Sequence, residues 1–374
     1  MASNARELAQ IPSTPSGRRN LLINGAMQVA QRGTSLTGQT ATNAIFTVDR
    51  FNTEISGPTS FDIARVTDSP DEFSYSLKVT SNGSFSASAN QIIIPFEQRL
   101  EGQDLQQLSY GTSSAKSFTV SFHIKSTKTG TYVLQARHSS TAGQERTQAQ
   151  SYTIDSANTW EKKTITFSGD TNDDIANDNA GRFTLFWWMI AGSTFTGGTL
   201  ATSWEDSTNA NRAVGVASSS ADDDSWQITG VQMEVGSVAT DFEHQKYCDV
   251  YKDCQRYYYK SGDNADSGNE WFPGVATNSG KGVYYAISGS ETTDRAYPAL
   301  QWPVQMRTAP SITFYPGRAD TTNTADRITV YNGTGAVTFS TSPTPYSNGL
   351  SYHFQGTSSD GIFYSYQIIA DAEI

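Results

Sequence analysis

The sequence predicts an all-β protein: a jelly-roll or β-sandwich domain, one linking helix, and then a smaller C-terminal β domain. Three observations carry this reading. Charged residues are only 17% of the 374 residues, against about 25% in an average globular protein. Neutral polar residues, 30 Gly and 11% aromatics take their place, which is the composition of sheets joined by wet loops. Short runs that alternate apolar and polar residues recur along the chain, with Gly, Asn, Asp and Ser between them.

The elements follow in order. Residues 1–19 read as an anchoring peptide and linker. Asn4 and Glu7 have capping-box spacing, and Leu8 and Ile11 form a short apolar edge, which suits docking on a larger partner. Pro12 to Gly17 is a Pro/Ser/Gly tether. Residues 20–241 read as the sandwich. Alternating runs fall at Ile45 to Ile55, Phe61 to Val66, Phe73 to Thr80, Gln91 to Pro95, Ser117 to Lys125, Thr131 to Arg137, Trp160 to Phe167, Arg182 to Ile190 and Ser225 to Glu234. About nine strands over some 225 residues suit an antiparallel sandwich. Residues 191–225 form a long irregular segment, of a length that in compact domains is often functional or mobile. Its Trp204 needs something to pack on.

Residues 242–259 predict the linking helix. Tyr247, Val250, Tyr251, Cys254, Tyr257 and Tyr258 recur at helical spacing and share one face. Residues 260–374 return to short strands, at Gly282 to Ser288, Pro298 to Val304, Ser311 to Tyr315, Arg327 to Tyr331, Ala336 to Ser340, Leu350 to Gln355 and Gly361 to Ile369. Asn332-Gly333 is a hairpin signal.

Charge and patterning exclude several functions. With 26 Lys and Arg against 37 Asp and Glu, the formal net charge is −11. That disfavours nucleic-acid backbones and anionic membrane surfaces. No run approaches the roughly 18 apolar residues of a membrane span, and the N-terminus carries no secretion signal. Two cysteines cannot build a disulfide scaffold, so synthesis in a reducing cytoplasm is expected. Nucleophile elbows and phosphate loops are absent. His244, Cys248 and Cys254 lack the fourth ligand of a structural zinc site, and the two cysteines read as buried small residues.

Two stretches resemble a known family. One is Asn20 to Gly33 (NLLINGAMQVAQRG) with Phe46 to Phe51 (FTVDRF). The other is Trp226 to Glu243 (WQITGVQMEVGSVATDFE) running into Cys254 to Tyr258. Together they resemble fibre and appendage proteins of tailed bacteriophages, notably short-tailed phages of marine bacteria. Pro298 to Ile312, with MRTAP at Met306 to Pro310, is similar to their C-terminal part. The Trp226 stretch also looks like the closing strand of jelly-roll carbohydrate-binding modules. The resemblance implies a virion structural protein, a tail or head fibre that is commonly a homotrimer. Its N-terminus would attach to tail adaptor, nozzle or capsid, and its distal part would meet the host. Without a long shaft here, tail, neck and head remain open as attachment points.

The candidate site residues follow. Sugars stack on aromatic rings, which points to Trp188, Trp204, Trp271 and Phe272 as platforms for host surface polysaccharide. Trp187 and Trp188 are adjacent on a strand and must face opposite ways. Asp170, Asp173, Asp174 and Asp178 crowd carboxylates into one loop, the donor type calcium takes; jelly-roll sugar-binding modules often hold such a structural calcium. Otherwise no cofactor is implied. Tyr247, Tyr251 and Tyr258 would pack on the large domain or line a trimer axis. The function expected is a non-catalytic appendage. Two alternatives are a purely structural component bridging virion proteins and a polysaccharide depolymerase, although the short-period repeats of depolymerase β-helices are missing.

Overall fold

The computed structural model describes residues 18–40, 42–57, 59–261, 283–287, 294–296, 299–316, 329–331, 344–351, 354–356 and 362–373. The chain is all-β, with three short helical turns and one longer helix among the described residues, and divides into two units between Tyr247 and Cys248.

The first unit is a jelly-roll β-sandwich. Its strands begin with β1 (Ser35–Gln39), β2 (Thr42–Phe46), β3 (Asn52–Ser56), β4 (Phe61–Val66), β5 (Ser76–Ser81), β6 (Phe85–Ser86), β7 (Ile92–Glu101) and β8 (Phe118–Ser126). They continue with β9 (Gly130–Ser139), β10 (Glu145–Ile154), β11 (Glu161–Phe167), β12 (Gly181–Trp188), β13 (Ile190–Ala191), β14 (Glu205–Asp206), β15 (Ser219–Ser220) and β16 (Ser225–Val235). A six-stranded sheet runs β1-β4-β5-β16-β8-β11, and an eight-stranded sheet runs β14-β10-β9-β12-β7-β3-β2, with β13 against β7. All pairs are antiparallel, and the chain crosses between the sheets repeatedly.

Alternation explains the layering. Phe118, Val120, Phe122 and Ile124 of β8, with Phe183, Leu185 and Trp187 of β12, point into one core between the sheets. Phe118 stacks on Phe167 at 4.8 Å, and Phe122 meets Trp187 edge-on at 5.7 Å. The chain enters this core through the Asn20–Gly33 motif. Leu22 and Met27 are buried in it. The Asn20 side chain accepts from Met233 N–H at 3.0 Å and donates to the Val231 carbonyl at 3.1 Å. Asn24, at φ 63, donates to the carbonyls of Val29 and Asp49, both at 2.9 Å. A methyl group at Gly25 would lie 2.0 Å from the Val231 carbonyl oxygen, so only glycine fits. The family-like motif is therefore a plug that ties the chain start to the last strand.

The strand expected at Ile45 to Ile55 is two strands, because Thr47 to Phe51 turns and buries Val48 and Phe51. Two further strands escape the alternation test. One is β1, which is polar. The other is β10, whose sequence ERTQAQSYTI is mostly polar yet largely buried, paired along its length with β9 and on its other edge with β14 at Arg146 and Thr147 and with the Ala201 carbonyl at Ala149. The segment expected to be irregular at 191–225 is folded: it contains the turn α1 (Ser193–Thr196), a 3-10 turn at Asn209–Asn211, β14 and β15. It packs Ala213, Val216, Phe195 and Leu200 onto the eight-stranded sheet.

The linking helix is shorter than its periodicity suggests. The observed helix, α2 (Tyr247–Gln255), replaces the expected 242–259. Ahead of it, Phe242 and His244 gather on Phe73 with ring centroids 5.0 and 5.4 Å away, which holds this stretch extended. Behind it, Tyr257 N–H closes on the Cys254 carbonyl at 3.0 Å, and Tyr258 starts a strand. Tyr258 therefore leaves the helical face it was expected to share with Tyr247 and Tyr251. Cys254 is buried as expected, but Cys248 is exposed.

In the second unit, the strand Ile362–Asp371 pairs with Tyr258–Lys260, Val283–Ile287, Ser311–Pro316 and Thr329–Tyr331. Ala299–Gln301, Gly349–Ser351 and Thr344–Tyr346 form a small sheet. The strand expected at Ala336 to Ser340 and the Asn332-Gly333 hairpin lie outside the described residues.

Candidate functional site

The outer face of the eight-stranded sheet combines charge with burial. Strand alternation that sends Trp187 into the core sends Phe186 and Trp188 outward, with Val133, Gln135 and Arg137 of β9 beside them. The segment 192–217 folds over one half of this face. Its Phe195 lies 5.3 Å from Trp188, and its Arg212 guanidinium stands over both Trp188 at 4.8 Å and Phe186 at 5.4 Å. Arg137 covers the same Phe186 ring at 5.0 Å. Two cations thus share one aromatic floor.

Gln135, fully buried, organises the centre. It accepts from Trp188 Nε1 at 2.8 Å and from Arg212 Nε at 3.2 Å, and donates to Thr147 Oγ1 at 2.7 Å. On the open half, Glu97 is fully buried, accepting from Arg99 Nε at 2.7 Å and Asn52 Nδ2 at 3.2 Å. Arg137 makes a loose ion pair with the exposed Glu145 at 3.6 Å. Glu54 on β3 is half-buried. Burial pushes its carboxyl above the usual range, and the neighbouring Glu97 charge adds to this, with Arg212, Arg99 and Arg137 opposing. Arg212 is pulled down to about 10, by burial first and by Arg137 second. Among the described residues neither Glu54 nor Arg212 has an ion-pair partner within 4 Å, so one carboxylate and one guanidinium remain available for a ligand.

The residues expected from sequence distribute differently. Trp188 is on this face but fully buried beneath the 192–217 segment, so it forms the floor and not the stacking surface. Trp204 is elsewhere. It is half-buried at the end of the sandwich core, donates Nε1 to the Ser168 carbonyl at 2.6 Å, and packs on His138 at 4.9 Å and Tyr110 at 5.7 Å. Trp271, Phe272, Leu8 and Ile11 lie outside the described residues. Tyr247 is exposed, Tyr251 half-buried and Tyr258 buried.

The four aspartates expected to hold calcium face protein donors, two of them the same arginine. Asp170 is buried and accepts from His138 Nε2 and Arg146 Nε, both at 3.0 Å. Burial pushes this carboxyl up, but those two bonds and the Asn172 N–H outweigh it and hold it well below the usual carboxylate range. Asp173 faces Arg146 at 3.3 Å, Asp174 accepts from Thr141, and Asp178 pairs with Arg182. Protein donors occupy the carboxylates, and no group of three or more metal-ligating side chains converges among the described residues.

Glu54, Glu97, Arg99, Arg137 and Arg212 were not anticipated. The signal for four of them was present: charged residues set into the apolar strands β3, β7 and β9, at the parity that leaves the core. Arg212 comes from an irregular segment whose fold only packing decides.

No family model matches the chain, and no curated protein matches it. Solved structures similar to it include the enzymatically active domain of bacteriophage CBA120 tailspike protein 4, at 13% identity and TM-score 0.30, covering 58% of this chain. This chain spans only 21% of that tailspike. Similar too is the C-terminal family 22 carbohydrate-binding module of Clostridium thermocellum Xyn10B, at 9% identity and TM-score 0.28, over 50% of this chain and 88% of the module. The family 61 carbohydrate-binding module TmCBM61, in complex with β-1,4-galactotriose, shows 12% identity and TM-score 0.28, over 58% of this chain and 99% of that one. No residue role carries over at these values.

Proposed function

We propose that this chain is a virion appendage protein whose sandwich binds host envelope polysaccharide without cleaving it. The observation behind the binding reading is the outer face of the eight-stranded sheet. It presents half-buried Glu54, Arg137 and Arg212 on one sheet face, with the Phe186 and Trp188 rings buried, and sugar hydroxyls need such acceptors and donors. The virion reading rests on the resemblance of the Asn20 and Trp226 stretches to phage fibres. In that setting the N-terminal segment with Leu8 and Ile11 attaches to other virion proteins, and a homotrimer raises weak affinity per site through avidity. Hydrolysis needs two carboxylates flanking the scissile bond. Glu97 is sealed by Arg99 and Asn52, which leaves Glu54 without a partner of that kind and favours binding over catalysis.

The test is binding of the labelled full chain to candidate host cells, with soluble envelope polysaccharide as competitor. Saturable, competed binding with unchanged polysaccharide size after incubation is the expected outcome. Absence of binding by the folded protein would move the reading to a bridging structural component, and shortened polysaccharide would move it to a depolymerase.

A further inference from the structure

Resting on that reading, we infer that the glycan is acidic, with anionic ring substituents, carboxylate or sulfate, bound by the guanidinium groups of Arg137 and Arg212, each of which lies against the Phe186 ring. The geometry is unusual for two like charges. Both cations stand over one ring, at 5.0 and 5.4 Å. Arg212 is half-buried and donates to neutral oxygens: Gln135 Oε1 at 3.2 Å and Asn209 Oδ1 at 3.5 Å. Among the described residues its second terminal nitrogen donates to no protein acceptor. A partly desolvated guanidinium without a counterion is costly, and an oxyanion that accepts a forked pair of hydrogen bonds offsets that cost.

The neighbouring acids do not fill this role. Glu97 is committed to Arg99 and Asn52. Glu145 is largely exposed and reaches only Arg137, at 3.6 Å. Glu54 contributes field without contact, and its carboxyl is shifted toward the neutral form by burial and by Glu97. Burial and the Arg137 charge pull Arg212 down, and Glu54, Glu145 and Glu97 oppose this only through their field. The chain's net charge of −11 does not oppose this, since exposed charges beyond about 8 Å are screened at physiological salt. An acidic chain with a local arginine pair thus discriminates among glycans by their anionic groups, through contact and not by general attraction.

The experiment measures affinity of the full chain for polygalacturonate, dextran sulfate and neutral dextran and galactan, alongside Arg212→Met and Arg137→Met. Both variants keep an unbranched apolar stem and remove the guanidinium, and affinity is compared for those that retain the wild-type melting temperature. The inference expects binding of polygalacturonate or dextran sulfate that falls roughly tenfold or more in the folded variants. Which polyanion responds identifies carboxylate or sulfate. Neutral glycans bound as tightly as acidic ones, or acidic binding unmoved by either variant, would overturn the acidic assignment while leaving glycan binding intact. Failure of every glycan to bind would overturn both readings together.

Discussion

At the residue scale, a buried charge is held by the donors packed against it. Asp170 illustrates this. It lies buried between His138 and Arg146, with Trp204 packed on His138, and removing its charge takes away the buried one of the three carboxylates around Arg146, Asp173 and Asp206 being the others. Asp170→Asn is expected to lower stability at pH 7 by about 2 kcal/mol or more. The carboxyl is held below its unfolded value, so its contribution is present above the unfolded pKa, about 4. That contribution is lost as pH falls from there toward the folded value. Urea midpoints measured from pH 7 to pH 2 should fall more steeply in the wild type than in Asp170→Asn. Parallel curves would mean that the pair contributes nothing. The loop was noticed in the sequence for its carboxylates, but the cation facing them is an arginine from β10. Nothing in the local spacing of the aspartates encodes a partner 24 positions away.

At the element scale, the segment 192–217 does work that its composition conceals. It carries Phe195, Arg212, Ala213 and Val216 onto an apolar patch formed by Ile92, Ile94, Val133, Phe186 and Trp188. Each such side chain contributes about 1.5–3 kcal/mol when buried. Replacing residues 193–215 by a short Gly-Ser linker should therefore lower the melting temperature, red-shift tryptophan fluorescence and increase binding of an apolar dye. An unchanged emission maximum would mean that Trp188 does not depend on the segment for its burial. The same replacement removes Arg212, so acidic-glycan binding should disappear as well. Periodicity located most sandwich strands to within a few residues, since half-buried strands must alternate. It missed β10, which is buried by polar side chains and held by backbone pairing. It also extended the helix through Tyr257 and Tyr258, because the spacing of tyrosines continues past the point where the backbone turns.

At the scale of the whole molecule, the first unit has its own continuous core, reaching from Leu22 to Met233. A domain with such a core folds alone. A fragment of residues 18–247 is expected to unfold in one cooperative transition and to keep the glycan affinity of the full chain. A broad, non-cooperative melt would show that the sandwich needs the rest of the chain. The acidic net charge and the arginine pair operate at different ranges: the first is a property of the entire surface, the second of one contact site.

The sequence by itself determined the all-β class, most of the sandwich strands, and the opposite facing of Trp187 and Trp188. These follow from local rules of alternation, turn chemistry and residue size. Tertiary structure alone decided that Trp188 is covered, that Arg146 faces Asp170 and Asp173, and that Arg137 and Arg212 both lie against Phe186. Those outcomes depend on which strands become neighbours and on how an irregular segment folds back. Contacts between residues 75 positions apart, such as Arg137 and Arg212 sharing one ring, leave no periodic trace in the chain.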